Sequence, residues 1–125
     1  MLQRYLHRLS VAKILCSNRL HSALTGVNGY TGRGDVEFSA WKNGTWRIEV
    51  SLRGVAGLAA DIYADDSLVE AVPVKNGKVD CRYERNGGEA QEFRDGTKIE
   101  VRQNDNPILE GVLRERRKHV ILHQE

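Results

Sequence analysis

Residues 36–52 read VEFSAWKNGTWRIEVSL, and their alternation decides the fold. The apolar positions are Val36, Phe38 and Ala40 on one arm and Trp46, Ile48, Val50 and Leu52 on the other, all even-numbered. A two-residue turn at Asn43-Gly44 would set Phe38 against Glu49 and Val36 against Ser51. A half-buried ribbon does not tolerate that mixture on one face. A three-residue loop, Lys42-Asn43-Gly44, instead sets Ala40 against Trp46, Phe38 against Ile48 and Val36 against Val50. Gly44 must then take the left-handed position of a type I turn with a bulge, where a Cβ is costly. Trp46 becomes a core residue. Trp41 points to the opposite face with Glu37, Ser39, Arg47 and Glu49, where it either marks a binding surface or is covered by a neighbouring segment.

The same pattern of short strand, tight turn and short strand continues outward. Residues 20–25 (LHSALT) read as a first strand, followed by a glycine-rich loop, 26–34. That loop lacks the Gly-Lys-Ser/Thr ending of a phosphate-binding P-loop. After a turn at 54–57, residues 58–64 alternate with Leu58, Ala60 and Ile62 inward, and Asp65-Asp66 turns into a return strand, 68–74. At Lys75-Asn76-Gly77 a type I′ turn at Asn76-Gly77, pairing Val74 with Val79 and Val72 with Cys81, is preferred to a three-residue loop pairing Ala71 with Cys81 and Val69 with Tyr83. Pro73 donates no hydrogen bond and places its strand at a sheet edge. Residues 78–84 form the next strand, 85–94 read as a polar loop, and 97–103 carry Ile99 and Val101 inward. A turn at 104–107 leads into the closing strand 108–113, with Gly111 at a bulge or close approach. The expected fold is an all-β antiparallel sandwich or small barrel of seven to eight short strands.

The chain has 125 residues and a net charge of +2, the length of one domain. Before Asp35 it contains Arg4, Arg8, Lys13, Arg19 and Arg33 and no acid. Residues 2–18 carry an apolar stripe at helical spacing (Leu2, Tyr5, Leu6, Leu9, Ala12, Cys16). The expected organisation is therefore an amphipathic leader helix at 1–19, a β domain at 20–114 and a charged tail at 115–125. The leader packs on the sheet or on a second copy, with a cleaved leader as the alternative. No stretch is long and apolar enough to span a membrane. Cys16 and Cys81 form no framework and read as free thiols that suit a reducing cytoplasm, with a disulfide between them as the alternative.

No motif calls for catalysis, a metal or a cofactor. Asp65-Asp66 is too short an acidic run for calcium. His119 and His123 are two ligands where a zinc site needs more. Arg33-Gly34-Asp35 is a three-residue coincidence with nothing else to support adhesion. Outward positions such as Glu37, Arg47, Glu49, Asp80, Arg82, Glu100 and Arg102 mix both signs, as solvated faces do. By elimination the reading is a non-catalytic binding or assembly module, with a protein partner or a second copy in a homodimer. Its candidate surface is Trp41, Arg47, Pro73, Arg116, Arg117 and Lys118. Nucleic-acid binding through the basic tail is one alternative, and an enzyme of unidentified class is another.

The runs Ile62-Tyr63-Ala64-Asp65-Asp66, Val72-Pro73-Val74-Lys75-Asn76-Gly77 and Gly87-Gly88 lead to Gly96-Thr97-Lys98-Ile99-Glu100-Val101 and Leu109-Glu110-Gly111-Val112-Leu113. Together they resemble a small all-β domain of uncharacterised bacterial proteins, over residues 20–113. The resemblance implies a strand-and-turn scaffold and transfers no catalytic residue.

Overall fold

The computed structural model describes residues 16–86 and 93–116. Among the described residues nine strands run antiparallel: β1 (Cys16–Gly26), β2 (Arg33–Trp41), β3 (Thr45–Arg53), β4 (Ala59–Ala64), β5 (Ser67–Pro73), β6 (Lys78–Asn86), β7 (Lys98–Gln103), β8 (Asn106–Val112) and β9 (Arg114–Glu115). Eight of them form a nearly closed barrel in the order β5-β4-β7-β8-β1-β2-β3-β6, and β9 pairs with β1. The connections from β3 to β4 and from β6 to β7 join strands that are not neighbours in the sheet.

The β2–β3 ribbon has the register that the alternation requires. Val36 faces Val50, Phe38 faces Ile48 and Ala40 faces Trp46. Gly44 has φ +93° and donates its N–H to the Trp41 carbonyl at 3.0 Å, while the Asn43 side-chain oxygen accepts from the Thr45 N–H at 3.0 Å. The even residues of β2 and β3 line the core with Ile62, Ile99, Val101 and Leu109. Tight two-residue turns recur at Asp65-Asp66, Asn76-Gly77 and Asn104-Asp105, with both central residues left-handed in each. Asn and Asp tolerate that conformation because their short side chains bond locally.

β1 closes the barrel on one side. Thr25 pairs with Glu110 and Gly26 with Leu109, and further along Leu20 pairs with Glu115 and His21 with Arg114. The two stretches share one register, broken only around Ser22–Leu24. There Gly111 comes so close that a Cβ would collide with the Ala23 carbonyl and the Ser22 hydroxyl. Gly111 therefore marks a close approach. The β7–β8 ladder is irregular at Val101/Arg102 instead.

Several expectations need correcting. Cys16–Arg19 belong to β1, so a helix cannot extend to residue 18; the remainder of that leader, residues 1–15, lies outside the described residues. Glu115 forms part of β9, and Arg116 donates its backbone N–H to the Arg19 carbonyl at 2.9 Å, so the tail's first residues join the sheet. Leu58 is 86 % exposed. It directly follows left-handed Gly57 and precedes the ladder, so strand alternation does not reach it. Glu100 is buried, with Lys98 Nζ at 3.1 Å and Arg102 Nε at 2.7 Å. Phe93, placed in a polar loop by composition, stacks on Phe38 at 4.5 Å between ring centres and lies 5.6 Å from Trp46.

The expected pairing of 68–74 with 78–84 is also overturned. Lys75 and Lys78 exchange backbone hydrogen bonds of 2.8 and 3.0 Å around Asn76-Gly77, and there the hairpin ends. Val72 pairs with Ala60, Val79 with Leu52 and Cys81 with Val50. All nine residues of β6 are committed to β3.

These placements predict a sharp contrast in stability. Ile62→Ala should cost about 2–5 kcal/mol and Phe93→Ala about 3–5 kcal/mol in urea unfolding. Leu58→Ala should stay within about 0.5 kcal/mol of the parent.

Candidate functional site

Among the described residues the strand order ends at β5 on one side and β6 on the other, which leaves a seam between them. Among the described residues no strand pairs with the β6-facing edge of β5 or with the β5-facing edge of β6. The seam is tied at the Lys75–Lys78 bridge and opens from there toward Ser67 and Asn86.

Side-chain chemistry changes along it. On the inner face near the tie stand Val72, Val74 and Val79, all buried. Further out, the same parity brings Glu70 from β5 and Cys81, Tyr83 and Arg85 from β6. Glu70 lies opposite Ile62, which is fully buried, and Arg85 lies opposite Trp46. Arg85 Nη2 reaches across the seam to Glu70 Oε1 at 2.7 Å, and its guanidinium lies 5.7 Å from the centre of the Tyr83 ring. Beyond a bulge opposite Ile62/Tyr63, Leu68 is 57 % exposed.

Burial pushes the Tyr83 phenol up to about 12, reinforced by its hydrogen bond with the Cys81 sulfur. Burial also raises the Cys81 thiol, and the Asp80 and Glu70 carboxylates add to that against the lowering effect of the Tyr83 bond. A thiol held protonated is a poor nucleophile and a poor metal ligand. Along the seam, buried apolar side chains at the tied end thus give way to a charged pair further out.

The outer face of β1-β2-β3-β6 carries a hollow of about 550 Å³ lined by His21, Asp35, Glu37, Glu49, Asp80 and Arg116, among others. Its charges are mostly matched. His21 Nε2 lies 2.8 Å from Asp35, Arg82 Nε lies 3.2 Å from Glu49, and Arg116 pairs with Glu37. Among the described residues no group of three His, Cys, Asp or Glu side chains could hold a metal ion.

The residues singled out from sequence do not converge. Trp41 is half-buried, with the Arg47 guanidinium 5.0 Å from its ring centre. Arg47 sends Nη1 toward Glu84 at 3.6 Å, and its buried Nε has no hydrogen-bond partner among the described residues. Trp41 and Arg47 therefore cover each other. Pro73 is exposed at the tied end of β5, a strand with a ladder on only one side. Arg116 is paired within the chain, and Arg117 and Lys118 lie outside the described residues. Leu68, Glu70, Tyr83 and Arg85 were missed. The signal was Glu70, an acid with the parity of Val72 and Val74.

Comparison with protein-family models and with curated proteins finds no match to this chain. Among the described residues no helix is long and apolar enough to cross a membrane.

The Tyr83 environment gives a direct check. Ultraviolet titration of the parent minus Tyr83→Phe should show one phenol ionising near pH 12. An unfolded tyrosine loses its proton at about 10. The folded state therefore holds the extra proton between those values, and stability should fall as pH rises across that interval. Tyr83→Phe should remove that part of the alkaline loss.

Proposed function

We propose that this chain is a non-catalytic protein-binding module that takes an extended polypeptide segment against β5 at the open seam. One observation carries the reading: among the described residues, the barrel leaves β5 and β6 facing one another with no ladder beyond the Lys75–Lys78 bridge. A bare strand edge presents alternating donors and acceptors, and an incoming backbone is the chemistry that satisfies them in series. Leu68 offers an apolar contact beside that edge, and the Glu70–Arg85 pair offers one charge of each sign. A preferred segment would then carry an apolar residue flanked by polar ones. The partner is a separate protein or a second copy of the chain. Catalysis has no support in the seam, because its thiol and phenol are both held neutral. Nucleic-acid binding through the basic tail is disfavoured, since Arg116 is spent on Glu37.

The test is selection of random peptides against the full chain, followed by amide exchange on the complex. Bound peptides should slow exchange in residues 67–73 and 78–86. Leu68→Lys should weaken binding at least tenfold, because a charge at a strand edge blocks pairing, with stability changed by less than about 1 kcal/mol. Protection confined to the Trp41 face, or unchanged binding in Leu68→Lys, would refute the proposal.

A further inference from the structure

At the tied end of the seam the strand register lines up four cations. Arg33 on β2 is directly opposite Arg53 on β3, Arg53 is opposite Lys78 on β6, and Lys78 is opposite Lys75 across the bridge. Directly opposite residues share a face, so the four form one row across the rim of the barrel, about 14 Å long at ordinary strand spacing. All four are exposed. Among the described residues none of them has an ion-pair partner. Asp35 and Asp80 occupy the neighbouring row, Asp35 turned to His21, and neither closes a pair with these cations.

Like charges directly opposite one another destabilise a sheet. Elsewhere this protein answers each such acidic pair. Glu37 faces Glu49, and Arg116 and Arg82 neutralise them. Glu100 faces Glu110, and Lys98 reaches both at 3.1 and 4.0 Å. The Arg33–Arg53–Lys78–Lys75 row runs through three successive like-charge contacts with no such answer. Beside it lies a hollow of about 400 Å³ whose polar lining is Thr25, Arg33, Asp35, Ser51 and Arg53; two hydroxyl donors join two guanidinium forks there, and the Asp35 carboxylate is engaged by His21 at 2.8 Å.

We infer that this row is a binding site for a linear polyphosphate chain, which supplies the missing countercharge. Guanidinium forks suit tetrahedral oxyanions bidentately, and lysines serve them as point charges. A single phosphate can answer one or two of the four cations. A phosphoanhydride chain carries charge on every phosphorus and can answer the whole row. A single-stranded nucleic acid fits less well, because stacking platforms normally accompany its backbone contacts and the row contains no aromatic residue.

The experiment uses the full chain at low salt, with short-chain polyphosphate, orthophosphate at equal total phosphorus, and oligothymidylate as probes. Polyphosphate should raise the unfolding midpoint well beyond orthophosphate, and the gain should fade at high salt. Arg53→Gln should weaken polyphosphate binding at least tenfold. Without any anion the same variant should unfold at a higher temperature than the parent at low salt, because the central repulsion is gone. Lys78→Gln should repeat both effects and stands in if Arg53→Gln does not fold. Arg82→Gln, off the row, should leave polyphosphate affinity unchanged. Equal shifts from orthophosphate, binding of oligothymidylate alone, or unchanged affinity in both row variants would overturn the inference.

Discussion

The left-handed backbone at Gly44 decides which residues of β2 and β3 face each other, and the rest of the barrel inherits that choice. With β2 held in place, a one-residue slip of β3 would turn Arg47 and Glu49 inward and Ile48 and Val50 outward. β3 passes its phase to β6 along nine paired residues, and β2 passes its phase to β1. The inner faces of four strands are thus fixed by one three-residue loop. Phe38 and Trp46, placed inside by that loop, receive Phe93 from the far end of the β6–β7 connection, and the three rings fill one end of the interior.

The barrel closes at β1 and not at β5, and the inner-face residues explain the difference. At the β1 side a glycine without a side chain lets the backbones approach until Gly111 touches Ala23 and Ser22. At the β5 side the inner face carries Glu70 and Arg85. Sealing the seam would take both charges out of water, and desolvation of such a pair can exceed its mutual attraction. An open seam keeps the pair partly hydrated, with the Arg85 side chain 47 % and the Glu70 side chain 24 % exposed.

Alternation was legible wherever a strand had one wet face and one dry face. The 42–44 loop, the Val36–Val50 register and the inward set of Phe38, Trp46, Ile48, Val50, Ile62 and Ile99 follow from parity alone. What parity could not supply was strand order. Asn76-Gly77 correctly signalled its turn, but Val72 and Cys81 are equally apolar whether they face each other or separate partners, so the sequence could not show that the hairpin stops after one bridge. Phe93 was hidden because a single aromatic in a polar run has no periodicity. Leu58 misled for the opposite reason, since its parity matched Ala60 although Gly57 had already broken the strand. The candidate site was least legible: Trp41 and Arg47 each looked available on the odd face, and only their proximity in space shows that they cover one another.

The electrostatics of the surface follow from the same register. Because opposite residues share a face, strand pairing converts charges far apart in sequence into rows, and each row must be neutralised by a third group or left to solvent and ions. The acidic rows at Glu37–Glu49 and Glu100–Glu110 are met by Arg116, Arg82 and Lys98. The basic row at Arg33–Arg53–Lys78–Lys75 has no such partner among the described residues. Its last step crosses the Lys75–Lys78 bridge, the same pair of backbone hydrogen bonds that ties the seam. That turn sets where β5 and β6 begin to part and also brings the fourth cation into line. The open edge begins and the charged rim ends at this one bridge.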